Sequence, residues 1–108
     1  MKLELKEPLS TFFEAQNARD VDGMLACFSD DASVHDEGRE MRGRLEIRTW
    51  IDETTRKYHP TTHPTGSAYE GARTIVTVQV SGSFPGSPIE LRYRFTIAGR
   101  KIAALEIH

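Results

Sequence analysis

The segment at residues 30–38, DDASVHDEG, places an acid, Asp36, two residues after Val34. In an extended chain, residues two apart share a face. If Val34 faces an apolar core, so does Asp36. A carboxylate in that position needs a hydrogen-bond partner, a shifted pKa or a chemical task. A lone acid in an apolar surrounding suits general acid or base catalysis, the passing of a proton to or from an apolar substrate. The other reading is structural: Asp36, Glu37 and Gly38 open a solvated turn. The same parity turns His35 to the opposite face, as a surface or interface histidine.

Three further groups of residues invite chemistry. His59 and His63 form an H-x3-H pair, but Pro60 and Pro64 exclude a regular helix there. In an extended segment the two histidines share a face and, with His35 or Asp36, outline a conceivable metal site. No motif fixes that geometry, so the expectation is a histidine-bearing loop at a pocket mouth, with no metal and no cofactor. Ser81, Ser83 and Ser87 lack the G-x-S-x-G elbow of a serine nucleophile. Cys27 is the only cysteine and sits in MLACF, where it reads as a buried, inert thiol. No phosphate-binding loop, dinucleotide fingerprint or nucleic-acid motif is present.

These residues need elements to position them. Pro8 suits a first helical turn, and Leu5, Leu9, Phe12, Phe13 and Gln16 follow helical spacing. Asp20 is a candidate N-cap for a short second helix that buries Val21, Met24, Leu25 and Phe28. A short strand is expected over residues 32–36, a turn at 37–39 and a return strand at 40–42. Gly43 breaks the chain before a third helix over residues 45–58, with Ile47, Trp50, Ile51, Thr54 and Tyr58 on one face. His59-Pro60 ends that helix.

The second half has period two. Val76, Val78 and Val80 alternate within residues 73–81, and GSFPGSP at 82–88 is a loop of turn formers. Ile89, Leu91, Tyr93, Phe95 and Ile97 alternate with polar residues. After the turn Ala98-Gly99-Arg100, Ala103, Leu105 and Ile107 alternate again. Helices first and long strands with short connections later imply an α+β fold, helices packed on one face of an antiparallel sheet. The other sheet face carries Thr77, Gln79, Arg92, Arg94, Thr96, Ala104 and Glu106. It meets water or a second subunit.

The chain has 108 residues, 38% apolar and 28% charged, which predicts one folded domain over 1–108. A net charge of −2 gives no electrostatic reason to expect nucleic acid or an anionic membrane as partner. One cysteine allows no intramolecular disulfide, and no apolar run is long enough for a signal peptide or a bilayer span. Both point to a cytoplasmic location as the expectation.

The order of elements resembles the nuclear transport factor 2-like (SnoaL-like) superfamily. FFEAQNARDVDGMLACFSDDASVHDEGREMRG is similar to the family's opening through Asn17, Asp20, Phe28, the step Asp31-Ala32 and Gly43. SGSFPGSPIELRYRFTI followed by KIAALEI resembles bacterial members of unassigned activity. The resemblance implies a cystatin-like α+β cone, about three N-terminal helices on a curved antiparallel sheet. It also implies a ligand pocket at the open end and, often, a homodimer. Ketosteroid isomerases share the fold, and an ungapped alignment puts their general-base aspartate at Asp36. Their oxyanion-hole tyrosine falls at Phe12 and their second acid near Leu91. Neither residue here can donate a hydrogen bond to an oxyanion, so steroid isomerisation is set aside.

The resulting expectation is that Asp36 faces a pocket near Phe12, Tyr58 and Tyr93, without a compensating partner. Phe12, Trp50, Tyr58, Leu91 and Tyr93 are the candidates for contact with a small apolar molecule, although Trp50 reads first as core packing. Isomerisation, cyclisation or hydratase-type proton transfer fits this set. The alternative is a ligand-binding or dimerisation domain without catalysis. The mixed outer sheet face predicts a homodimer in which arginines of one copy meet Glu90 or Glu106 of the other. Light scattering at micromolar concentration should give the dimer mass, and a monomer alone would contradict it.

Overall fold

The computed structural model describes residues 4–108. Two short helices open it, α1 (Leu9–Asn17) and α2 (Val21–Ala26). Pro8 stands at the N-cap of α1 rather than within it. Asp20 caps α2, its Oδ1 accepting from the Gly23 amide at 3.0 Å. The buried face of α1 holds Leu9, Phe12, Phe13 and Ala15. Phe12 is fully enclosed, with its ring set edge-on to Phe13, Phe28 and Phe95 at centroid distances of 5.2, 5.8 and 5.6 Å. Such edge contacts add to the burial energy of the rings. Cys27 is buried behind α2, and burial pushes its thiol pKa up, as an inert core cysteine requires.

Strand β1 (Phe28–Asp36) starts earlier than the alternation at residues 32–36 suggests. Its pairing with the last strand of the chain already begins at Phe28, opposite Ile102, and is irregular between Phe28 and Ser33. Phe28, Ala32 and Val34 share a parity and turn inward, while Asp30, of the same parity, lies within the irregular stretch and stays exposed with Asp31. Strand β2 (Arg39–Arg42) returns beside β1 and leads into helix α3 (Gly43–Tyr58). Glu46 reaches back from the first turn of α3 to accept from the Arg42 amide at 2.9 Å. The helix buries Ile47, Trp50 and Ile51.

Four strands complete the sheet: β3 (Thr61–Glu70), β4 (Arg73–Ser81), β5 (Ile89–Ala98) and β6 (Lys101–Ile107). The order is β2-β1-β6-β5-β4-β3. All neighbours are antiparallel except β1 and β6, which run parallel. The fold is α+β, helices packed on one face of a curved six-stranded sheet.

Two local features depart from the expected pattern. Residues 61–70 form a strand, not a histidine-bearing loop. That strand is an edge, largely polar, and it carries a register shift between Pro64 and Gly66. An edge next to a bulge tolerates a proline that a central strand would not. On β6 the register passes from Thr96–Ala104 to Ile97–Ile102, leaving Ala103 as the extra residue. The bulge therefore buries Ile102 and Leu105 in place of the expected Ala103 and Leu105.

On the outer face, Arg73 lies 3.7 Å from Glu106 and Arg94 lies 4.0 Å from Glu70. Both are half-exposed pairs within the chain, of small energetic weight.

Candidate functional site

A cavity of about 340 Å³ lies where the β1–β2 turn, the second half of α3 and the loop at residues 82–88 converge on the sheet. Its wall is mainly apolar, with Trp50, Phe84, Leu91 and Ile107 among the lining side chains. The polar groups on it are few: Gln16, Asp36, Glu37, Thr54, Tyr58 and Tyr93.

Asp36 is the last residue of β1 and sits opposite Arg39 of β2. Glu37 and Gly38 form the turn between them, with φ of 54° and 73°. Two successive left-handed residues make the hairpin turn whose twist matches the flanking strands. Glycine takes that conformation freely, whereas glutamate there costs on the order of 1 kcal/mol. The strained backbone carries the Glu37 carboxylate toward α3, where the Tyr58 hydroxyl donates to its Oε1 at 2.6 Å.

Trp50, Thr54 and Tyr58 follow one another at four-residue steps along α3, so one stripe of the helix faces the cavity. Trp50 Nε1 donates to Asp36 Oδ2 at 2.9 Å. Thr54 turns its hydroxyl back to the Trp50 carbonyl at 2.8 Å. At the helix end, the Ser83 amide donates to the Tyr58 carbonyl at 2.7 Å. A Cβ on Gly82 would come within 2.3 Å of that carbonyl oxygen, so only glycine permits this approach. The loop is thereby pinned to α3, and the Phe84 ring stands edge-on to Tyr58 at 5.9 Å.

The electrostatics follow from this geometry. Burial pushes the Asp36 carboxyl above the ordinary aspartate value of 3.8, and the charge of Glu37 pushes the same way. The Trp50 bond, the Glu37 backbone and Arg39 oppose the rise without cancelling it. Burial also drives the Tyr93 phenol well above its usual range, the adjacent Gln16 side chain opposing and the Asp36 charge reinforcing. Tyr93 is therefore a neutral hydrogen-bond donor at physiological pH. Gln16 Oε1 is buried against the wall with no hydrogen-bond partner.

Five of the residues singled out from sequence meet on this wall: Asp36, Trp50, Tyr58, Leu91 and Tyr93. Phe12 does not; it is enclosed by the rings of Phe13, Phe28 and Phe95 and forms core, not lining. Asp36 is not without a partner, and Trp50 is not packing alone, because the indole holds the carboxylate. Neither His59 nor His63 lines the cavity. His59 ends α3 in a left-handed conformation, φ 46°, and its carbonyl accepts from Arg19 at 2.9 Å. His63 is exposed on β3. Among the described residues, no three histidine, cysteine or acidic side chains gather to hold a metal. Gln16, Glu37 and Phe84 join the wall unforeseen. Gln16 had a signal, a polar residue closing the apolar stripe of the first helix.

The SnoaL-like domain model matches residues 9–105. The chain belongs to the SnoaL-like family. No curated protein shows significant similarity to it. Among solved structures, a protein from Sinorhizobium meliloti described as a "putative polyketide cyclase" is 36% identical. It superposes with a TM-score of 0.92 over 96% of this chain and 95% of its own. A Catenulispora acidiphila protein with a ketosteroid isomerase-like fold, solved in complex with trimethylamine, is 17% identical. Its TM-score is 0.81 over 95% of this chain and 86% of its own. The epoxide hydrolase/cyclase-like enzyme SalBIII, of pyran ring formation in salinomycin, is 19% identical with a TM-score of 0.80. That match spans 92% of this chain and 84% of the other. The last two likenesses speak to fold alone.

The raised pKa of Asp36 makes a stability prediction for this SnoaL-like chain. The folded state holds the Asp36 proton more tightly than the unfolded state does. That advantage is complete below the unfolded value and is lost as pH rises through the folded one. Asp36→Asn keeps an acceptor for Trp50 and removes the titration. In thermal melts across pH, the variant should gain on the wild type as pH climbs above the ordinary 3.8. A difference that stays flat with pH would show that Asp36 is not desolvated.

Proposed function

We propose that the cavity binds a small, largely apolar molecule and that Asp36 acts on it as a general acid or base. The observation that carries this reading is an acid of raised pKa on an apolar wall, held in one orientation by Trp50. A carboxyl whose pKa moves toward neutrality is suited to both halves of a proton transfer. As the carboxylate it takes a proton from a carbon or hydroxyl of the substrate, and as the acid it returns one elsewhere on the same molecule. No net proton is consumed in such an isomerisation or ring closure. Tyr93 supplies what Phe12 and Leu91 lack, a neutral donor for a substrate oxygen as charge develops on it. The 36% identical Sinorhizobium protein described as a "putative polyketide cyclase" supports ring closure within this class.

A second reading is a binding domain without chemistry. One observation favours it: each wall carboxylate already gives an oxygen to a wall residue, Asp36 to Trp50 and Glu37 to Tyr58.

Deuterium exchange at the α-carbon of 2-tetralone, an apolar ketone, separates the two. The wild-type chain should accelerate exchange in D₂O, and Asp36→Asn should lower that acceleration by about 10²-fold or more. Binding without exchange would leave the second reading, and neither binding nor exchange by NMR would remove both.

A further inference from the structure

We propose that the molecule bound in this cavity carries a positively charged nitrogen on an apolar body, an alkylated ammonium or a protonated tertiary amine. The inference rests on the proposed reading of the cavity as a binding site and names the class of ligand it takes.

Charge is the first ground. Among the described residues, the lining includes Asp36 and Glu37 and no lysine, arginine or histidine. The nearby cations lie outside the wall. Arg39 points to Glu53 at 3.4 Å, and Lys57 sits exposed with Nζ 5.1 Å from the centre of the Tyr58 ring. A carboxylate or phosphate ligand would enter a partly desolvated site against two like charges and meet no counter-charge. A cation meets two carboxylates that are neighbours in sequence and repel each other.

The aromatic wall is the second ground. Trp50, Tyr58, Phe84 and Tyr93 all contribute to the lining. Aromatic faces attract a cation through the ring quadrupole, most strongly where water is excluded, and ammonium heads bearing alkyl groups suit them best. Tyr58 and Phe84 stand at right angles, 5.9 Å apart, which makes a corner rather than a flat wall.

Spare acceptors are the third. Gln16 Oε1 is buried without a partner, so the N–H of a protonated tertiary amine would satisfy it, and a ligand with acceptors alone would not. Neutral apolar ligands would fill the volume, but would leave this oxygen without a donor and bring the two carboxylates no counter-charge inside the cavity.

The test compares three small probes of similar shape: benzyltrimethylammonium, neopentylbenzene as its neutral isostere, and phenylacetate. Trp50 is the only tryptophan, so its fluorescence reports on the cavity, and calorimetry measures binding independently. Benzyltrimethylammonium should bind more tightly than neopentylbenzene by about tenfold or more, a size between those of an exposed and a fully desolvated cation–aromatic contact. Phenylacetate should not bind. Glu37→Gln, which keeps an acceptor for Tyr58, should weaken the cation alone and leave the neutral probe unchanged. Equal binding of cation and neutral probe, or any preference for phenylacetate, would overturn the cation inference while leaving the cavity a binding site. Absence of binding by all three would overturn the inference together with the reading on which it rests.

Discussion

The hydrogen bond from Trp50 Nε1 to Asp36 Oδ2 joins the middle of α3 to the end of β1. Much of the site depends on it. An indole N–H that is buried without a partner costs on the order of 1–3 kcal/mol, and a carboxylate buried without a donor costs more. Each residue lowers the other's penalty, although burial still holds the Asp36 pKa above its ordinary value. The bond also sets the rotamer of the only tryptophan and the direction of the acid at once. Tyr58 and Glu37 repeat the device one step further out, linking the turn after β1 to the last residue of α3.

These two bonds explain why an unfavourable backbone is retained in the turn. Glu37 takes a left-handed conformation that glycine, asparagine or aspartate would adopt more cheaply. The tight turn delivers its carboxylate to Tyr58, and the bond offsets part of the strain. On the opposite side, Gly82 lets the loop at residues 82–88 press its backbone onto the end of α3. Phe84 then closes the aromatic corner against Tyr58. The cavity is thus held by the far half of one helix, with a hairpin turn on one side and a loop on the other. The core below it, centred on Phe12, continues into the wall through Tyr93, whose ring packs against Phe13 and Phe95.

The parts of this arrangement that obey a period were legible in the sequence. Residues 73–81, read as a strand from Val76, Val78 and Val80, form β4 over the same span. The parity of Val34 and Asp36 placed the acid on the core side of β1, and helical spacing placed Trp50 and Tyr58 on one face. The rest escaped because it breaks a period or joins distant segments. The bulge at Ala103 shifts which residues of β6 turn inward, and β3 has little apolar alternation to announce it. Glu37 looked like a solvated turn residue because its partner, Tyr58, is 21 residues away. Phe12 was aligned onto a pocket position, but three surrounding rings draw it into the core. The Trp50–Asp36 bond spans 14 residues between a helix and a strand, and no local rule foretells it.

The most direct test of this bond and of the acid it holds is the indole N–H resonance of Trp50, followed by ¹⁵N NMR across pH. The chain has a single tryptophan, so the signal needs no assignment. It should titrate with a midpoint above the ordinary aspartate value of 3.8, and the titration should vanish in Asp36→Asn while the signal stays in its bonded position. A resonance that does not move with pH, or a midpoint at or below 3.8, would contradict an acid that is both desolvated and bonded to the indole.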